Sequence, residues 1–235
     1  KINNLETKPL KEELRSSWIN WQPIPDIYQN LNAYDLDKRI SKSKSLLGKD
    51  LVILGHHYQR DEVIKYADIT GDSYLLSLEA SRQNAPFVVF CGVHFMAETA
   101  DILTSSNQMV ILPNMAAGCS MADMAKTQDV LDAWDDIQSV TKSVTPVTYM
   151  NSAASIKSLC GENNGIVCTS SNAKPVFEWA FEQNEKIFFL PDEHLGRNTG
   201  QKLGIPDSQM VVWNPFKPMG GLTNEEILSA KVLLW

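Results

Sequence analysis

Eight short runs of apolar, β-branched and aromatic residues, most of them unbroken, recur along the chain after residue 35, and they constrain its fold more than any other feature. They occupy residues 51–54, 87–90, 109–112, 147–150, 166–168, 187–190, 210–213 and 231–235, and helical stretches separate them. A run that is apolar at every position, rather than at every second one, belongs to a strand covered on both faces. Strands of that kind spaced by amphipathic helices make a parallel sheet. The expected class is therefore α/β, built from repeated three-layer α/β/α domains.

The intervening helices carry their own signals. Val130, Leu131, Trp134 and Ile137 follow the i, i+1, i+4, i+7 spacing of one apolar stripe on an otherwise acidic helix. Thr223 with Glu226 reads as a capping box. Ser73 and Ser152 stand where an N-cap follows a strand, and Ser170 stands near another helix start. An internal repeat is expected as well. Leu112-Pro113-Asn114 with Gly118 matches Leu190-Pro191-Asp192 with Gly196, and Cys91 and Cys168 close the preceding strands. The expected organisation is an N-terminal arm over 1–34, a first α/β/α domain over 35–125 and a second over 126–235. The arm, which holds Trp18, Trp21, Pro23, Pro25 and Tyr28 among polar residues and is expected to contain one helix, is expected to pack on the body through its aromatics. Residues 231–235 read as the start of a core strand that stops before its carboxyl-end loop, so the chain is expected to be incomplete.

The 235 residues suffice for one large domain or two compact ones, and a composition of 43% apolar and 21% charged residues is that of a globular chain. The net charge of −7 argues against nucleic acid or an anionic membrane as the main partner. No apolar run approaches the roughly 18–20 residues of a membrane span. The first twenty residues lack the apolar core of a leader, which makes the cytoplasm the expected compartment.

Each strand is followed by a polar cluster: Gly55-His56-His57-Tyr58-Gln59, Gly92-Val93-His94, the loop around Cys119, Tyr149-Met150-Asn151-Ser152, Thr169-Ser170-Ser171-Asn172 and Asp192-Glu193-His194. Parallel sheets bind ligands at these ends. His56 and His57 adjoin, so their side chains are expected to diverge and not to face one ligand together; the alternative to a ligand contact is that one of them is a buried, hydrogen-bonded core histidine. Tyr149 and Asn151 are two apart on a strand and share a face, which suits them to hold a carboxylate together or to form a structural network. Met96, Met121, Met124 and Met150 read as core filler. Of the four cysteines, Cys91 and Cys160 read as inert buried thiols and Cys168 as ambiguous. Cys119 lies among Ala116, Ala117, Gly118 and Ser120, where little bulk shields its sulfur, as suits a nucleophile or a metal ligand.

Taken in order, GHHYQ, ADITGDS, CGVHFMAETADIL, LPNMAAGCSMADM, TYMNSAASIK, CTSSNA, LPDEHLGRN and WNPFKPMGGLTNEEI resemble the quinolinate synthase family over roughly 35–235. The WQPIP segment is similar to the longer cyanobacterial or plastid members. The resemblance implies an enzyme of NAD biosynthesis that condenses iminoaspartate with dihydroxyacetone phosphate, releasing phosphate and water to give quinolinate. It implies three similar domains about a pseudo-threefold axis and a central [4Fe–4S] cluster, with one cysteine from each domain and an open iron acting as Lewis acid. It implies an L-aspartate oxidase as upstream supplier. By motif, Cys119 matches the first cluster cysteine, His56 and Ser73 match substrate contacts, and Tyr58 matches a proton-transfer residue. Tyr149, Met150 and Asn151 match the substrate-binding Y-x-N, and Ser170 matches the serine of the next strand end. The family's other two cluster cysteines and its histidine–proline–glutamate motif have no counterpart in this sequence. The alternatives are a non-catalytic fragment that binds a small dicarboxylate without a cluster, and an unrelated α/β enzyme with Cys119 as nucleophile.

Overall fold

The computed structural model describes residues 25–235, which fall into two compact units, 25–118 and Cys119–Trp235. Trp18, Trp21 and Pro23 of the expected arm lie outside the described residues. Every sheet pairing is parallel, as the continuous apolar runs require.

The first unit holds β1 (Leu51–His56), β2 (Ile69–Gly71), β3 (Phe87–Cys91) and β4 (Met109–Ile111) in the order β2-β1-β3-β4. One face is sealed by the helices Ser73–Arg82 and His94–Leu103, which bury Leu76, Ala80, Phe95, Met96 and Ala100. Ser77 Oγ ties the two together by donating to the Met96 carbonyl at 3.1 Å. The other face is not closed throughout, contrary to the two-sided burial expected. The register pairs Phe87 with Met109 and Val89 with Ile111, so these side chains share a face. There Phe87, Met109 and Ile111 remain exposed.

Charge rather than packing attaches the helix Ala33–Leu47 to this unit, since it has no buried residue. Lys44 pairs with Asp68 at 2.6 Å, and Asp37 takes both Lys65 Nζ and the Tyr66 hydroxyl at 2.6 Å. Asp68 in turn accepts from Ile53 N–H of β1 at 2.9 Å.

The second unit holds β5 (Val144–Tyr149), β6 (Ile166–Cys168), β7 (Lys186–Leu190), β8 (Met210–Val212) and β9 (Val232–Leu234) in the order β6-β5-β7-β9-β8. All five residues of β7 are buried. Phe188 packs on one face with Trp134 and Trp235, its ring centroid 6.4 and 6.2 Å from theirs. Phe189 packs on the other face, edge-on to Phe177 at 5.4 Å. The helix Thr127–Val140 buries the predicted stripe Val130, Leu131, Trp134 and Ile137, and the Thr223–Glu226 capping box is present.

Three local expectations are corrected. The cap before Ser73 is Asp72, whose carboxylate accepts from Leu75 N–H, and Ser73 is the first helical residue. The helix after β5 starts at Ala154 with Ala153 before it, while Ser152 is buried and donates to the Tyr149 carbonyl at 2.8 Å. Met124 is 57% exposed and fills no core. The Leu-Pro repeat also joins unlike positions. Its first copy follows the edge strand β4, and its second follows the interior strand β7. Topology instead matches β1, β2 and β3 with β5, β6 and β7, since each first strand is flanked by the second on one side and the third on the other. Gly196 is needed because an added Cβ would meet Leu234 and Phe189 carbons at 2.6 Å.

Two glycines near the start of β6 predict opposite outcomes. A Cβ on Gly165 would collide with the Pro146 carbonyl, whereas Gly161, inside the helix Ala154–Glu162, faces open space. Gly165→Ala is expected to destabilise the chain by about 1–3 kcal/mol, and Gly161→Ala to stabilise it by about 0.5–1 kcal/mol. Urea denaturation midpoints of the two variants check both signs.

Candidate functional site

In the first unit the ends of β1 and β2 meet, because these strands pair up to His56 opposite Gly71. His56 is half-buried and its Nε2 lies 3.5 Å from Ser73 Oγ. The rings of His56 and His57 do not diverge as expected: they stack at 4.5 Å with an interplanar angle of 21°. Neither sits in the core, since His57 is exposed. The turn after β1, closed by Gln59 N–H on the His56 carbonyl at 2.8 Å, folds the next residues back over His56. Tyr58 joins the stack and is 83% exposed. Burial pushes the His56 pKa down, the neighbouring His57 lowers it further, and Asp72 acts in the opposite direction. His56 is therefore a neutral imidazole at pH 7.

In the second unit the ends of β5, β6 and β7 supply the polar groups. Tyr149 at the end of β5 pairs in register with Cys168 of β6. The Ser170 side chain acts on the Tyr149 phenol in the direction that lowers its pKa. Burial raises the Tyr149 pKa above the ordinary tyrosine value, and the nearby Cys168, Asp192 and Cys119 act in the same direction. The phenol is consequently a protonated donor at neutral pH. Asn151 is half-buried two residues on. Met150 is 3% exposed, and its backbone N–H is held by the Cys168 carbonyl at 2.8 Å. Ser170 lies outside the following helix, which begins at Ala173 after Asn172.

Asp192 is a member of this cluster that the sequence reading took only as part of a polar strand end. It is 7% exposed and caps the helix Glu193–Lys202, accepting from His194 N–H at 2.8 Å. Its signal was legible: an acid just after a strand and just before a helix is an N-cap, and a cap at that place faces the strand ends.

The cysteines separate by environment. Cys160 and Cys168 are buried. Burial drives the Cys160 thiol far up and pushes Cys168 up to about 12. Cys91 is half-buried, not fully buried as expected, and burial raises its pKa too. Cys119 is half-buried in its small-residue loop, where its carbonyl accepts from Asp123 N–H. Among the described residues no group of three His, Cys, Asp or Glu side chains is arranged to hold a metal ion. Among them, too, no helix is long and apolar enough to cross a membrane.

A family model described as quinolinate synthetase A protein matches residues 38–231. Quinolinate synthase of Corynebacterium glutamicum is 55% identical over 217 residues, covering 91% of this chain and 55% of that protein. Quinolinate synthase of a Nocardioides species is 58% identical over 210 residues, covering 85% of this chain and 53% of the relative. The enzyme of the same name from Acidobacterium capsulatum is 54% identical over 213 residues, covering 89% and 57%. The chain thus spans about half the length of the curated relatives it matches.

Thiol labelling checks the ranking of the cysteines. With iodoacetamide at pH 7.5, Cys119 is expected to be alkylated in the folded chain, while Cys160 and Cys168 react only after denaturation. Peptide mass mapping that finds Cys168 modified ahead of Cys119 would contradict the arrangement.

Proposed function

We propose, because the chain belongs to the quinolinate synthetase A protein family, that it carries part of the site at which iminoaspartate and dihydroxyacetone phosphate condense to quinolinate, phosphate and water in NAD biosynthesis. The observation that supports this reading best is the grouping of Tyr149 with Ser170 and Asp192 at the strand ends of the second unit, with Asn151 following Tyr149 by two residues. Tyr149 is a donor because burial keeps its proton in place, Asn151 offers amide N–H groups, and Ser170 offers a hydroxyl. Neutral donors of this kind orient a carboxylate without contributing a charge of their own. In the first unit, His56 and Ser73 supply an imidazole and a hydroxyl at hydrogen-bonding range of each other. We assign them to contact with an anionic substrate group, and we assign proton transfer to Tyr58, whose ring lies in the open on the two histidines.

The family implies a [4Fe–4S] cluster, which supplies Lewis-acid chemistry when bound. A cluster needs thiolates from several positions. Of the described cysteines, Cys160 and Cys168 are buried and strongly held in the thiol form. Cys119 alone has the small-residue surroundings that suit a ligand, and we assign it that role. The described residues do not make a complete ligand set for a cluster, and the steps assigned here involve only the side chains of this chain. The substrate chemistry calls for an upstream L-aspartate oxidase, and the net charge of −7 suits a cytoplasmic enzyme better than one docked on nucleic acid or anionic lipid.

Titration calorimetry with quinolinate tests the reading. The chain is expected to bind it, and Asn151→Ala and Ser170→Ala are each expected to raise Kd by roughly tenfold, the loss of one hydrogen bond to a charged group. Unchanged affinity in both variants would refute the assignment.

A further inference from the structure

The ring stack that leaves β1 contains one member with no task so far. His57 Nδ1 lies 2.9 Å from the Gly71 carbonyl, which also accepts the His57 backbone N–H at 3.2 Å. A carbonyl can only accept, so the ring hydrogen of His57 is on Nδ1. His56 is bonded in the opposite sense. The Tyr58 backbone N–H points at His56 Nδ1 at 3.3 Å, which makes that nitrogen the acceptor and puts the hydrogen on Nε2, facing Ser73 Oγ. The two imidazoles therefore have opposite tautomers while lying ring on ring.

We propose that His57 is a positioning residue for His56, fixing the plane of its ring so that Nδ1 stays against the Tyr58 amide and Nε2–H is presented to Ser73. His57 is suited to the task because it is anchored at both ends. Its backbone and its ring hold the same Gly71 carbonyl, on the strand that precedes Ser73. Removing the ring releases one side of His56 to solvent and lets it turn. The directional consequence reaches Ser73: an oxygen that accepts from His56 keeps its own hydrogen free to donate to a ligand oxygen.

The charge around the pair works in the same direction. The titratable groups facing His56 are His57 and Tyr58 on its own loop and Asp72 at the start of the helix Ser73–Arg82. Like charges on two stacked rings oppose each other, and His57 lowers the His56 pKa beyond what burial does, against the pull of Asp72. A second proton on His56 would have to sit on Nδ1, where the Tyr58 N–H already points. The sign follows: His56 keeps the single-donor form at neutral pH and loses it only on acidification below the ordinary histidine range.

This inference rests on the assignment of His56 and Ser73 as ligand contacts, and the test separates the two. Long-range 1H–15N spectra of the 15N-labelled chain report the tautomer and titration midpoint of each of its four histidines, with His56→Gln identifying the His56 signals. Wild-type His56 is expected to be the Nε2–H tautomer with a midpoint below the ordinary value of 6.5. In His57→Asn the midpoint is expected to rise and the tautomer preference to weaken. His57→Phe, which keeps a stacked ring but loses both ring nitrogens and the Gly71 bond, is expected to raise the midpoint as well. Spectra in which both folded variants keep the wild-type midpoint and tautomer would overturn the proposal. Quinolinate affinity at pH 6 is expected to change several-fold in His57→Asn. Failure of the wild-type chain to bind quinolinate at all overturns the functional reading and leaves the imidazole result standing.

Discussion

The parallel pairing of β5 with β7 is the contact on which the Cys119–Trp235 unit depends. It runs without a break from Val144 opposite Lys186 to Thr148 opposite Leu190. β7 can sit at the centre because it is apolar on both faces, with Phe188 meeting Trp134 and Trp235 on one side and Phe189 meeting Phe177 on the other. A one-residue slip would exchange these faces and bring each phenylalanine against the wrong helix. The same register decides where the two strands stop. Tyr149 and Asp192 are near neighbours because β5 and β7 end level with each other, and Cys168 is beside Tyr149 because β6 pairs there.

The chemistry inherits that geometry in a consistent form. On each unit one titratable group at the strand ends, Tyr149 or His56, is held neutral, and burial is the leading cause in both. Tyr149 keeps its proton because its environment opposes phenolate, and His56 stays unprotonated because its environment opposes imidazolium. Neutral donors give direction without strong charge attraction, and a site made from them releases an anionic product more readily than one lined by lysine or arginine.

Most of the sheet architecture was legible because a buried parallel strand leaves an unmistakable apolar run. β2 was missed for the converse reason: Ile69-Thr70-Gly71 is three residues long and has one large apolar side chain. The Cys119 loop could be read from residue types alone; the strand face expected to be shared by Tyr149 and Asn151 was not, because β5 ends at Tyr149. The histidine stack could not, because it depends on a turn closing over His56 rather than on strand alternation. Caps were misplaced by a residue or two at Ser73 and Ser152, since serine and aspartate compete for the same role and only geometry decides between Asp72 and Ser73. The partly open face of the first sheet was hidden as well. Phe87, Met109 and Ile111 are the residue types of a covered strand, and nothing in their identity reports whether a helix lies over them.

Among the described residues, the helix Ala33–Leu47 has a different kind of hold from every other long helix, for it is fastened by Lys44, Asp37, Lys65 and Asp68 and has no fully buried residue. Coulomb attraction at an exposed surface is short-lived and screened by dissolved ions, whereas apolar packing is not. The lifetime of this helix on the protein is thereby tied to the ionic strength around it. It can open by itself while the sheet beneath stays folded, and amide hydrogens along it would exchange as a separate population whose rate follows the salt concentration.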